Sequence, residues 1–233
     1  MLELFPEGFE EIERPDGVEL VAYTDPPGEE RLWWVFGSVA GSDVAPGWGG
    51  RWRQFHRPVR VGGLWIGPPW ETPPQGEVTI VIEPGQAFGT GAHPTTRLAL
   101  TLLLRMPRAS VLDVGCGSGV LAVAAAKAGF APVHAVDVDA AAVDAARGNA
   151  AANDVSVTVE QRDALVGELP RSDLVVANIT RDTVVALAAR LSVARLVTSG
   201  YLAGEPLVLD GFRHLERVEE EGWAADAFER LRE

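Results

Sequence analysis

The chain has 233 residues, 47% hydrophobic and 23% charged, with a formal net charge of −13; that is room for one full domain and a small companion, and a field that repels nucleic-acid phosphates, so direct nucleic-acid binding is not expected. A single cysteine, Cys116, excludes an internal disulfide and fits a reducing compartment. The acidic start MLELFPEGFEEIE lacks the apolar core of a secretion signal, and no apolar run reaches the roughly 18–20 residues needed to cross a membrane, so no membrane partner and a cytoplasmic location are expected.

In chain order, residues 1–45 read as a small unit containing strands. GVELVAYTD and RLWWVFGSV are rich in Val, Tyr, Trp and Phe and are separated by the turn PPGEE. GSDVAPGWGG follows as a loop. Residues 46–80 read as a linker and a tryptophan-rich joint, with Trp48, Trp52, Trp65 and Trp70 close together. These rings are expected to pack the joint; a rim around a substrate groove is the alternative, since tryptophan is enriched at binding hot spots. From residue 111 the pattern alternates. VLDVG is a strand and SGVLAVAAAKAGF a helix. VHAVDVD is a strand, and AAAVDAARGNAAAND a helix that Asp139 caps. VSVTVEQRDA and DLVVANI are strands, RDTVVALAARL is a helix and RLVTSGYL a strand. The tail HLERVEEEGWAADAFERL reads as a closing antiparallel hairpin, with helix the alternative for its last ten residues. This alternation predicts an α/β fold: a doubly wound, mostly parallel sheet with helices on both faces.

VLDVGCGSG puts Asp113, Gly115, Gly117 and Gly119 at the carboxyl end of the first strand of that sheet, the edge where such sheets bind ligands. Glycines there let the backbone approach a ligand closely. Asp137, at the end of the next strand, is placed to accept hydrogen bonds from both hydroxyls of a ribose. The spacing is G-x-G-x-G, not the dinucleotide G-x-G-x-x-G, and Asp113 would repel a pyrophosphate. An acid there suits a ligand with an ammonium group. S-adenosylmethionine combines ribose, adenine, an amino acid end and a cationic sulfonium, and D-x-G-x-G-x-G with a later Asp resembles motifs I and II of class I methyltransferases. Cys116 is expected to pack behind the loop rather than act as a nucleophile. Asp163, ending the third strand, has two readings: acceptor for the adenine amine, or a solvated turn carboxylate. Asn178, ending the fourth, stands where class I methyltransferases present the acceptor nitrogen, its carbonyl and the next backbone carbonyl turned to an amine. Its alternative is an N-cap for the helix near Arg181. Amine-methylating members often carry Asn-Pro-Pro-aromatic there; this chain has Asn178-Ile179-Thr180. No metal site is expected.

PGQAFGTGAHPTT, residues 84–96, resembles the signature of the PrmA-type protein methyltransferases, which methylate the eleventh protein of the large ribosomal subunit. WRQFHRPVRVGGLWIGPPW precedes it, and VLDVGCGSGVLAVAAAKAG, AVDVDAAAVDAARGNAAANDV, DLVVANI and TSGYLAGE follow in the family's order, so the likeness runs over about 48–233. It implies a class I, Rossmann-like methyltransferase domain over 81–233 and a small α+β domain at 1–45 that recognises the substrate. It implies cofactor contacts at Thr96, Gly115, Asp137 and Asn178, joined by Asp113, Gly117 and Asp163. It implies that Phe88 and Gly89 line the methionine end and the acceptor entrance, and that they align the reaction with Asn178. His93 is expected to be structural, beside Pro94 and Thr95 at a helix start, rather than a catalytic base. The implied reaction is methyl transfer to lysine ε-amines and an N-terminal α-amine of a ribosomal protein, by a monomer. The chain departs from the family at residues 1–45, which are short and match poorly, and at Thr180, where Leu is usual. A lysine of another protein, of the electron-transfer flavoprotein β-subunit type, or a small molecule is therefore the alternative substrate. An AdoMet-binding module without turnover and an NAD-dependent oxidoreductase are the competing classes.

Overall fold

A computed structural model describes residues 10–14, 17–21, 32, 36, 39, 56–84 and 89–231. The chain divides into two units, Met1–Phe55 and His56–Glu233. In the first, β1 (Glu10–Arg14) and β2 (Gly17–Val21) pair antiparallel. The predicted strand GVELVAYTD is therefore extended at its start, but it pairs with the segment before it. Leu32 and Phe36, inside the predicted strand RLWWVFGSV, are helical. A short apolar run satisfies a buried helix as well as a strand, and composition misled here. The loop 41–50, with Trp48, and Trp52 lie outside the described residues.

The second unit opens on a small sheet of β3 (Val59–Val61), β4 (Leu64–Gly67) and β5 (Val78–Val81), in which β4 runs antiparallel to β3 and parallel to β5. Trp65 is buried with its ring against Gly67, where any side chain would collide with it. Helix α1 (Pro94–Arg105) follows, with Leu98, Leu102 and Leu103 buried at helical spacing. Then strand and helix alternate as predicted: β6 (Val111–Val114), α2 (Val120–Lys127), β7 (Val133–Asp137), α3 (Ala140–Ala152), β8 (Thr158–Gln161), β9 (Leu174–Asn178), α4 (Arg181–Ala188) and β10 (Arg195–Leu202). The tail is the expected hairpin, β11 (Phe212–Glu220) and β12 (Trp223–Arg230).

These strands form one seven-stranded sheet in the order β11-β12-β10-β9-β6-β7-β8. The five strands from β10 to β8 are parallel, and β12 joins β10 antiparallel. Side chains alternate between two cores, as a strand buried on both faces requires. Val111, Leu174, Val176 and Val197 join the core shared with α1, α2 and the small sheet, while Leu112, Val175, Ala177 and Leu196 join the core shared with α4. Among the described residues no helix is long and apolar enough to cross a membrane. Because β9, β6 and β7 are adjacent and parallel, their carboxyl ends share one edge of the sheet.

Candidate functional site

That edge is built from the turn after β6. Gly115, Gly117 and Gly119 all take positive φ, at 69°, 52° and 79°. Gly119 begins α2 and offers no side chain to cap it. Asp113 supplies the missing acceptor from the neighbouring strand: its Oδ2 accepts from the Ala122 N–H at 3.1 Å, one of the orphan donors of the first helical turn. Asp113 has no exposed surface, and its Oδ1 has no hydrogen-bond partner among the described residues. Burial pushes its carboxyl up to about 7, against a favourable backbone bond from Ala122 and with Asp137 adding to the rise. In this conformation its surroundings are helix backbone and loop, so any pull on a ligand ammonium acts through the field rather than by contact. Cys116 is buried in the same turn, and burial drives its thiol far above the ordinary range, which suits packing and removes thiolate chemistry.

Asp137 closes β7. Its Oδ2 accepts from Gly117 N–H at 2.9 Å and its Oδ1 from Asp139 N–H at 3.0 Å. A carboxylate offers about four acceptor positions, so two remain, the number a ribose diol needs. Asp139 then caps α3 as expected, its Oδ1 accepting from Ala141 N–H at 2.9 Å. Asp163 is exposed and turns its Oδ1 onto the Leu165 N–H at 2.8 Å, which is turn chemistry.

Asn178 ends β9 half-buried, and its Nδ2 donates to Thr96 Oγ1 at 3.4 Å. Thr96 is fully buried on α1. The amide group is thereby turned so that its Oδ1 is the end without a partner among the described residues. Asn178 is not the N-cap of the next helix, as its alternative reading had it: Thr180 holds that position. Ile179 behind it is crowded from two sides. A Cβ on Gly115 would meet Ile179 Cγ2 at 2.5 Å, and one on Gly200, which bulges from β10, would meet the Ile179 carbonyl oxygen at 2.3 Å. Thr180 borders a cavity of about 470 Å³, lined also by Asp182, Tyr201, Glu205 and Trp223.

The other glycine-rich stretch meets this turn directly. Ser118 Oγ donates to the Gly89 carbonyl at 2.5 Å. Phe88 lies outside the described residues. His93 is the N-cap of α1: its Nδ1 accepts from Thr95 N–H at 3.3 Å, with Pro94 in the first turn. Its ring meets Trp223 edge to face at 5.0 Å, and burial, then Arg97, hold its pKa below the ordinary histidine value. Arg97 grips the β11–β12 turn through Glu220 and Glu221. The sequence reading missed Ser118, Asn149, Asn153 and Arg97. A pair of asparagines four apart at the end of α3, Asn149 within it and Asn153 at its C-cap, was the one available signal, since buried amides need partners.

A family model described as Ribosomal protein L11 methyltransferase (PrmA) matches residues 41–231. A ribosomal protein L11 methyltransferase from Caldicellulosiruptor saccharolyticus is 41% identical over 145 residues, 60% of this chain and 48% of that protein. One from Exiguobacterium sp. is 41% identical over 196 residues, 76% of this chain and 63% of that protein. The chain thus spans between about half and two thirds of the length of these relatives. The crystal structure of a ribosomal protein L11 methylase from Lactobacillus delbrueckii subsp. bulgaricus superposes with a TM-score of 0.66 at 27% identity, over 76% of this chain and 100% of that one.

Proposed function

The chain belongs to the ribosomal protein L11 methyltransferase (PrmA) family, and on that premise we propose that it is an S-adenosylmethionine-dependent methyltransferase acting on amines of a ribosomal protein in the cytoplasm. The observation that carries the reading is the alignment of three adjacent strand ends on one edge: the glycine turn after β6, Asp137 after β7 and Asn178 closing β9. The residues present fit the cofactor. Asp137 keeps two acceptor positions for a ribose diol while the Gly117 and Asp139 amides hold it still. Gly115, Gly117 and Thr96 would border the cofactor's amino acid end. Asp163 stands toward the base, with its Oδ1 already engaged.

When bound, S-adenosylmethionine supplies an electrophilic methyl on a cationic sulfur. The chain must then deliver a neutral nitrogen in line with it. A lysine of pKa about 10.4 is neutral at pH 7 roughly once in 2,500, a cost near 4.6 kcal/mol. A nearby positive charge and loss of water on docking would both lower that pKa, and the proton can leave to water before docking, so no strong protein base is required. Asn178 Oδ1 accepts from the amine and aims its lone pair, while Thr96 holds Nδ2 and so the orientation of the amide. Gly89 would narrow the entrance, with Phe88 beside it in sequence as the expected partner in that role. Alignment of this kind is worth roughly 7–11 kcal/mol in intramolecular reactions. Residues 1–45 recognise the protein substrate in this reading, and the relatives' name supplies ribosomal protein L11 as that substrate.

Calorimetry with S-adenosylmethionine and with NAD tests the cofactor; binding of NAD alone refutes it. Asp137→Ala is expected to weaken S-adenosylmethionine at least about tenfold, because two hydrogen bonds to a charged acceptor are lost. Incubation with purified ribosomal protein L11 and intact-mass spectrometry tests the substrate, and an unchanged mass beside a methylated lysine on another protein would assign the alternative.

A further inference from the structure

Between β5 and α1 the described residues, 82–84 and 89–93, hold part of the second glycine-rich stretch; three buried polar side chains fasten this strap. Asn153 Oδ1 accepts from Val81 N–H at 2.8 Å, and its Nδ2 donates to the Val81 carbonyl at 2.6 Å. Asn149 Oδ1 accepts from Glu83 N–H at 2.9 Å. The amides thus complete the edge of β5 that β4 leaves open. The geometry is natural, since four helical residues rise about 6.0 Å and two strand residues about 6.6 Å. Asn149 Nδ2 also donates to the Ser118 carbonyl at 2.8 Å, and Ser118 Oγ in turn donates to the Gly89 carbonyl at 2.5 Å. Ser118, Asn149 and Asn153 are 2%, 3% and 4% exposed, so water does not compete for these bonds.

We propose that Ser118, Asn149 and Asn153 form a clasp that couples the strap to the glycine turn, and that Ser118 is a positioning residue for the methyl donor and, through Gly89, for the incoming amine. The proposal rests on the reading of the turn as the cofactor site. Ser118 belongs to the turn after β6, yet its hydroxyl is spent on the strap and its carbonyl on α3. Any shift of the turn on binding is therefore transmitted to Gly89, and release of Gly89 frees the Ser118 hydroxyl. Three elements distant in sequence meet at this one residue: its hydroxyl holds Gly89 of the strap, and its backbone carbonyl holds Asn149 of α3.

The test uses the full chain with S-adenosylhomocysteine as the probe. Ser118→Ala is expected to weaken its binding about fivefold, the size of one neutral buried hydrogen bond, to lower kcat, and to leave the KM for the protein acceptor unchanged. Asn149→Ala is expected to do the same, and the double variant to lose less than the product of the two, because both act through one strap. Hydrogen exchange without ligand is expected to quicken at the Gly89, Thr90 and Gly91 amides in Ser118→Ala and at Val81 in Asn153→Ala. Wild-type affinity and unchanged exchange in Ser118→Ala would overturn the clasp, as would fully multiplicative single effects. If the wild-type chain binds no S-adenosylhomocysteine, the cofactor reading fails, and the exchange measurement alone decides whether the strap is clasped. Should Ser118→Ala unfold, Asn153→Ala carries the same measurement from the far end of the strap.

Discussion

Ile179 shows how a single residue can be fixed by what its neighbours lack. Gly200 sits at φ 105° in the bulge of β10, with the Ile179 carbonyl oxygen 2.3 Å from where a Cβ would be. Gly200→Ala is expected to destabilise the chain by about 2–3 kcal/mol, through strain and collision together, and to depress methyl transfer more than cofactor binding. Gly222→Ala is the control: φ is 80° there, but nothing lies within 4 Å of the added carbon, so only the backbone penalty of about 1 kcal/mol should appear in urea unfolding. Equal losses in the two variants would show that the Ile179 contact does not matter. Asp113 gives a second prediction. Its folded-state value, about 7, lies above the ordinary 3.8, so between those limits the folded chain holds a proton the unfolded chain lacks. Stability from this group therefore rises as pH falls through 7 and is lost as pH rises. From pH 8 to pH 6 the gain is on the order of 1 kcal/mol. His93 opposes it only below its ordinary value of 6.5, because its pKa is lowered. Asp113→Asn cannot titrate, so unfolding at the two pH values should differ between wild type and variant by that amount; parallel curves would refute the assignment.

At the scale of elements, helix α1 tests whether a histidine beside a reaction site is chemistry or architecture. His93 accepts from Thr95 N–H at the N-cap, and its ring packs on Trp223. His93→Asn keeps a capping acceptor and should retain turnover within about threefold, whereas His93→Ala should lose about 1 kcal/mol of stability. A catalytic base would instead make both variants inactive, with the loss following a pH profile. The sequence already pointed to this role, because Pro at the first helical position marks a start. The alternating strands and helices from β6 to β10 were legible for a related reason: apolar runs and helical stretches recur in strict alternation, and only a layered parallel sheet buries them all. Leu32 and Phe36 were not, since a brief apolar run is solved by either element. At the site, Asp137 and Asn178 were visible because they end strands at one edge. Ser118, Asn149 and Asn153 were hidden, because their roles come from backbone partners far away in sequence: 29 residues for Ser118, 66 for Asn149 and 72 for Asn153. Asp113 stood out as part of a motif, but only the structure shows its Oδ2 accepting from Ala122 in the first turn of α2.

If the substrate is the proposed basic ribosomal protein, the net charge of −13 acts, over the whole molecule, on how it arrives. A lysine-bearing segment approaches an anionic body, and long-range attraction of this kind raises association rates by roughly 10–1,000-fold at low salt. The screening length shrinks from about 10 Å at 0.1 M salt to about 3 Å at 1 M, so the attraction is confined to direct contacts as salt rises. S-adenosylhomocysteine carries no net charge and is held by local bonds to Asp137 and the glycine turn in the proposed site, so its affinity has little to lose. Raising salt from low to near-molar concentration is therefore expected to increase the KM for the protein acceptor about tenfold while kcat and S-adenosylhomocysteine affinity change less than about twofold. Steady-state kinetics beside calorimetry across the same salt series separates the two. A salt-independent KM would mean that the acidic surface plays no part in capture and that recognition is carried by apolar contact. A parallel fall in cofactor affinity would mean that salt acts on the fold itself.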